Sequence, residues 1–405
     1  MSREASSSAA PADSPGRDRA RRPQRLESRV NLATILFFVG LQASGPYVAQ
    51  FAVALGASEA QVALLGPAIA ATALGLRLLT GALLDRGLAA HALVAGAALA
   101  CVSQALLVSA NGLGEIYASR ALQGLGLALF MPTTMYVAAM SGESAARAIA
   151  WRSAAVGFSM ALGPAIGGYV VASRGYRAAF AVSLAIVLAS LSLCATMLSR
   201  LETLSGRAGA DLERRAQHSA LSRLLTPRFL VPTTVVLLHS MSFNSMTLFL
   251  PALHKLRGID PHVTGGFFVV FALATLPPRV LMGVSRRRVD ERATGILGLT
   301  LSLLGALLTA ADPLSRRLTA YAAIAGLGMG FVVPSLQSLA LLGVEPRVRG
   351  LASGVYTAMF DVGSLAGPPL FVAMSRDYSR AIEVSALFYV VPLALFASSA
   401  RKIGR

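Results

Sequence analysis

Gly124-Leu-Gly126, with Pro132 six residues on, and Gly326-Leu-Gly328, with Pro334 six residues on, are the same phrase written twice, 202 residues apart. A second phrase repeats at that offset: Arg77-Leu-Leu-Thr-Gly81 returns as Arg279-Val-Leu-Met-Gly283. Two separate matches at one spacing are not expected by chance, so the chain is read as two tandem halves. A looser third pair, Gly163-Pro164 and Gly367-Pro368, is offset by 204, which unequal loops explain.

All three phrases lie in apolar sequence. Hydrophobic residues make up 55% of the 405, charged residues 14%, and mean hydropathy is +0.64, which excludes an ordinary soluble domain. A hydrocarbon core of about 30 Å needs roughly 20 apolar residues per helix. Charged and Gly/Pro-rich borders mark off twelve such runs, at about 30–54, 62–84, 91–110, 115–139, 152–172, 177–198, 229–251, 263–284, 293–311, 318–342, 351–374 and 382–399. The expected fold is an all-α integral membrane protein with two pseudo-symmetric six-helix halves. Tandem halves with an even number of spans have parallel topology and enclose a cleft, as in many secondary transporters.

The net charge of +17 invites a nucleic-acid reading, but its placement does not support one. With both termini on the cytoplasmic side, 25 Lys and Arg fall on that side and 8 on the other. That bias is the positive-inside signature of a multi-pass plasma (inner) membrane protein, and lipid is the expected surrounding partner. Residues 1–29, rich in Ser, Ala, Pro and Arg, read as a disordered cytoplasmic tail, and the apolar run after them is too long for a cleaved signal core. Residues 30–200 form the first half, the mixed-charge stretch 201–228 a cytoplasmic linker, 229–400 the second half and 401–405 a short cytoplasmic tail. Cys101 and Cys194 fall inside spans three and six, where they serve as small packing residues.

Of the 19 acids, only Asp361 lies well inside a span. Counting at 1.5 Å per residue from the span borders puts Asp361 roughly 16 Å deep and Arg77, on the antiparallel span two, about 12 Å from the same face. An arginine side chain covers that difference. The two are therefore expected to pair between the halves, either as a proton-coupling site that opens when Asp361 is protonated or as a permanently ionised pair that orients helices. Arg120 is a second buried cation, with no evident acidic partner. His239, mid-span in helix seven, is either a further proton site or a histidine satisfied by a neighbouring helix.

Three local patterns carry a family resemblance. Gly81-Ala-Leu-Leu-Asp85-Arg86-Gly87 is similar to the loop signature between spans two and three of the major facilitator superfamily, with Gly87 one place early and no basic pair after it. Arg120-Ala-Leu-Gln123-Gly124-Leu-Gly126 matches the span-four pattern of that family in full. Gly163-Pro164-Ala-Ile-Gly167-Gly168 resembles the span-five pattern of its exporting antiporter branches, with Ser159 where a glycine is usual. The resemblance covers the chain from Val30 to Ala400. It implies a proton-coupled exporter of small amphipathic compounds that alternates access to a central site, with no cofactor beyond the proton gradient. A cytoplasmic gate at Gly81, Asp85 and Arg86 and a cavity lined by spans one, four, seven and ten follow from it.

Gln42, Tyr47, Gln123, Asn244, Phe331 and Gln337 are the candidates for that cavity. Asp85 is placed to cap the start of span eleven near Gly350, or else is a solvated border charge. The glycines Gly124, Gly126, Gly163, Gly167 and Gly168, with Pro164, let helices approach closely. Uptake or facilitated diffusion of a metabolite, and a non-transporting sensor on the same fold, are the alternatives. A monomer with a small-molecule substrate and no nucleic-acid partner is expected. No phosphate-cradling Gly-x-x-x-x-Gly-Lys-[Ser/Thr] loop, His-Glu-x-x-His or Cys-x-x-Cys pair, or Gly-x-Ser-x-Gly elbow is present, so ATP hydrolysis, metal and enzyme chemistry are not expected.

Overall fold

A computed structural model describes residues 15–139, 145–199, 201–202, 226–284, 290–342, 344, 349–375 and 377–403. These are helices joined by short turns and loops, with no strand among them. The first half contains α1 (Pro15–Ala54), α2 (Glu59–Ala63), α3 (Leu65–Asp85), α4 (Ala89–Ser109), α5 (Leu113–Ala139), α6 (Ala145–Arg174) and α7 (Tyr176–Ala195). The second contains α8 (Pro227–Leu256), α9 (Pro261–Ala274), α10 (Leu276–Val284), α11 (Glu291–Ala311), α12 (Leu318–Leu342), α13 (Arg349–Ser375), α14 (Tyr378–Phe388) and α15 (Val390–Ile403).

Three expected single helices are broken in two. Span two breaks at Leu64, just ahead of Gly66-Pro67, span eight at Thr275 ahead of Pro277-Pro278, and span twelve at Tyr389 ahead of Pro392. Proline removes a backbone donor and crowds the preceding turn, so each break falls shortly before one. The tail expected to be disordered is helical from Pro15 onward. Its Ala, Arg, Gln, Leu and Glu are good helix formers, and the first span supplies a nucleus to propagate from. Residues 203–225, most of the expected linker, lie outside the described residues.

Eleven of the described helical segments are long and apolar enough to cross a membrane. Helix α5 is not among them: it has the length, at 27 residues, but carries Glu115, Arg120, Gln123, Thr133 and Thr134. It is held inside the first half by α3 and α4.

Packing differs between the two ends of the bundle. At the end away from the chain termini, one apolar cluster takes in Val48, Phe51 and Phe180 of the first half together with Phe249, Leu253, Phe371 and Tyr378 of the second. At the end where the termini lie, each half keeps its own cluster. One is built around Phe37, Ala97, Phe130 and Cys194, the other around Phe229, Leu299, Val332 and Phe396. The halves are thus sealed together at one end and hold separate cores at the other, which leaves a cleft between them opening toward the termini.

Polar groups reinforce the sealed end. Gln50 Nε2 donates to Thr264 Oγ1 across the halves at 3.0 Å, and Thr264 Oγ1 lies 2.8 Å from His254 Nδ1. His254 Nε2 is 2.9 Å from the Pro313 carbonyl, which only accepts, so Nε2 carries the proton and Nδ1 accepts from Thr264. All three side chains are buried.

Candidate substrate and coupling site

The wall of the cleft is set by close helix contacts that only glycine permits. A Cβ on Gly124 would strike the Ile69 carbonyl in α3, and one on Gly126 would stand 2.8 Å from the Gly96 carbonyl in α4. On α6, a Cβ at Gly167 would strike the Ala43 carbonyl, and one at Gly163 would be 2.5 Å from Gln42 Cβ. Gly168 performs the same service between halves, where a Cβ would stand 3.5 Å from Gly265 Cα of α9. The repeat positions Gly326, Gly328 and Gly367 are equally closed.

Gly81 behaves otherwise. Nothing lies within 4 Å of where its Cβ would be, so it packs against no helix in this conformation. Arg86 is exposed at the C-cap of α3, and Gly87 follows with φ +77. Leu88 N–H donates to the Leu83 carbonyl and Gly87 N–H to that of Leu84, so this stretch closes α3 in a left-handed turn that favours glycine. The Asp85 side chain lies outside the described residues, as do the side chains of Arg349 and Leu351 at the start of α13, which it was expected to cap.

Arg77 and Asp361 meet between α3 and α13, with Nη1 of the arginine donating to Oδ2 of the aspartate. Their side chains remain 19% and 20% exposed, so the pair touches the cleft rather than being sealed from it. Arg77 Nε has no partner among the described residues. The symmetry-related position is unlike it. Gly157 stands six residues before Gly163-Pro164, as Asp361 stands six before Gly367-Pro368. A Cβ on Gly157 would be 3.3 Å from Leu276 Cδ2 and 3.9 Å from Nη1 of Arg279, the repeat partner of Arg77. Among the described residues, Arg279 meets no acid and no hydrogen-bond acceptor.

The remaining candidates scatter. Arg120 is buried, and its Nε and Nη2 have no partner among the described residues; the same holds for Gln123 Oε1. His239 is buried within the second half, its Nε2 3.3 Å from Met329 Sδ and its ring edge-on to Tyr389. It borders a cavity of about 30 Å³ walled by that half alone, room for roughly one water. Tyr47, expected on the cavity wall, is fully buried. Its hydroxyl donates to the Pro164 carbonyl at 2.9 Å and its ring fills the slot that Gly167 and Gly168 leave open, so it is a helix joint. Gln42 backs Gly163, Phe331 lies against Gly298, and the Asn244 amide donates to the Ser240 carbonyl at 2.8 Å. Gln337 is half-buried on α12. No hydrogen bond among the described residues joins any two of these six.

Arg152 went unnoticed in the sequence, where it counts as a loop charge. In the structure α6 begins at Ala145, and Arg152 is buried against α5, donating to Thr134 Oγ1 at 2.8 Å and to the Met131 carbonyl at 3.2 Å. Its only sequence signal was the continuation of good helix formers upstream of the apolar run.

Comparison with known proteins agrees with this architecture. The multidrug efflux protein YfmO of Bacillus subtilis (strain 168) is 23% identical over 354 residues, 86% of each chain. The methylenomycin A resistance protein of the same organism is 33% identical over 135 residues, 33% of this chain and 29% of that one. A solved bacterial homolog of the human lysosomal transporter Spinster, inward-facing and unoccupied, superposes with a TM-score of 0.73 at 14% identity, covering 97% of this chain and 98% of that one. Family and fold are those of a transporter rather than an enzyme. The Major Facilitator Superfamily profile matches residues 30–368, and the chain belongs to that family.

Proposed function

We propose that the protein is a proton-coupled exporter of small amphipathic compounds, resident in the plasma (inner) membrane with both termini in the cytoplasm. The observation that carries this reading is the Arg77–Asp361 pair, a single acid held by a single cation between the two halves and partly open to the cleft. A proton on Asp361 removes the attraction to Arg77 and frees α3 from α13, so the proton favours one arrangement of the halves over the other. Substrate then enters from the cytoplasmic cleft, and loss of the proton re-forms the pair. The efflux and resistance functions named for the relatives favour export, and the low share of charged residues in the chain, 14%, favours an amphipathic cargo.

The test is flux in reconstituted vesicles under an imposed pH gradient, with a panel of amphipathic compounds. Wild type is expected to move at least one of them with a dependence on the gradient that Asp361→Asn abolishes. Full gradient-driven flux in Asp361→Asn overturns the coupling role. Flux in wild type that ignores the gradient points instead to facilitated diffusion, and binding without flux to a sensor.

A further inference from the structure

We infer that Arg279, which faces Gly157 where its repeat partner Arg77 faces Asp361, is the receptor for the anionic group of an amphipathic ligand, a carboxylate or a phosphate. This deepens the transport reading and rests on it for the direction of movement, but not for binding.

The argument comes from comparing the two copies of one interface. In one copy, Arg77 of α3 meets Asp361 of α13. In the other, Arg279 of α10 faces α6 at the position equivalent to Asp361, and Gly157 stands there. Had residue 157 been an aspartate, its Cβ would lie 3.9 Å from Arg279 Nη1, which brings the carboxylate oxygens, two bonds further on, into hydrogen-bonding reach. Among the described residues, the second copy thus has the cation of the first without its internal anion. A guanidinium placed between membrane helices with no acid near it is costly unless a counter-charge arrives. A planar guanidinium pairs with a carboxylate or phosphate through two parallel hydrogen bonds, which selects an oxyanion over a neutral polar group. Leu276 flanks the guanidinium, 3.3 Å from where a Gly157 Cβ would be, and its flexible end offers an apolar contact to the body of the ligand.

The experiment measures binding to the purified full-length protein in vesicles, using dansyl-glycine as a fluorescent carboxylate and its methyl ester as the neutral match. Wild type is expected to hold the carboxylate about tenfold tighter than the ester, the size of one charge-assisted hydrogen-bonded pair. Arg279→Gln should erase that preference. Gly157→Asp should erase it too, by rebuilding the internal pair; the nearest obstacle to its Cβ is the flexible end of Leu276, and Gly157→Ala serves as the folded control that keeps the preference. Equal binding of acid and ester by wild type, or a preference that survives in Gly157→Asp, overturns the inference. Repeating the titration in phosphatidylcholine and in phosphatidylcholine mixed with phosphatidylglycerol separates the sources. Competition by the anionic lipid that depends on Arg279 identifies a headgroup as occupant, and its absence identifies a free anion from the cleft. A carboxylate preference without flux leaves the binding inference standing and removes the transport reading.

Discussion

Replacing Thr264 by valine should push the protein toward the conformation in which the sealed end is open. In the arrangement described, Thr264 accepts from Gln50 across the halves and donates to His254, and all three side chains are buried. Valine keeps the shape and removes the hydroxyl, leaving Gln50 Nε2 and His254 Nδ1 without partners and away from water. Each orphaned buried group costs about 1–3 kcal/mol, so the sealed state loses about 2–6 kcal/mol. Once the ends part, water satisfies both groups and little of that cost remains. A difference of even about 2 kcal/mol is a roughly thirtyfold change in population. Gln50→Leu provides an internal scale, because it deletes the cross-half bond but leaves Thr264 paired with His254. One net hydrogen bond, about 1 kcal/mol, shifts the population only about fivefold. Spin labels at the exposed positions Ser173 and Arg316, one on each half at the sealed end, report the separation by pulsed electron resonance. A Thr264→Val distance distribution that superimposes on wild type, or that moves less than Gln50→Leu, would refute the reasoning.

Three further outcomes are expected. Arg77→Leu strands Asp361 and should cost about 2 kcal/mol of stability, below the ~3–5 kcal/mol of a fully buried pair because both side chains keep some exposure; thermal unfolding in detergent should show recovery in Arg77→Leu/Asp361→Leu. Gly75→Ala, at a helical position with open space around it, should stabilise by about 0.5–1 kcal/mol, whereas Gly167→Ala drives a methyl into the Ala43 carbonyl and should lower the melting temperature clearly. Cys101 and Cys194, both free and buried in the apolar cluster of the first half, should resist maleimide in the folded protein and react after denaturation; rapid labelling of either would contradict that core.

Much of the fold was legible because membrane sequence is under one dominant constraint. Long apolar runs must be helices, and an offset of 202 residues joining Arg77 to Arg279 and Gly124 to Gly326 must be a duplication. Depth was legible for the same reason. Helical rise is fixed, so counting from the borders placed Arg77 and Asp361 at similar heights on antiparallel helices, and the structure joins them. Helix breaks, the helical start of α1 and the reach of α6 upstream to Ala145 were not legible, since hydropathy registers lipid and not helix. Polar side chains were the weakest ground. Tyr47 looked like a cavity residue and is a joint, because the glycines that seat its ring belong to another helix 120 residues away.

Hydropathy and repeat spacing therefore establish the two halves, their likeness to each other and the depths of Arg77 and Asp361, all properties of one dimension and of the bilayer. Tertiary structure alone decided which charges find each other. Arg77 and Arg279 stand in equivalent phrases, yet one meets Asp361 and the other faces Gly157, because partners are chosen by the helix that packs opposite. Packing of that kind depends on residues far apart in the chain, and no local pattern encodes it.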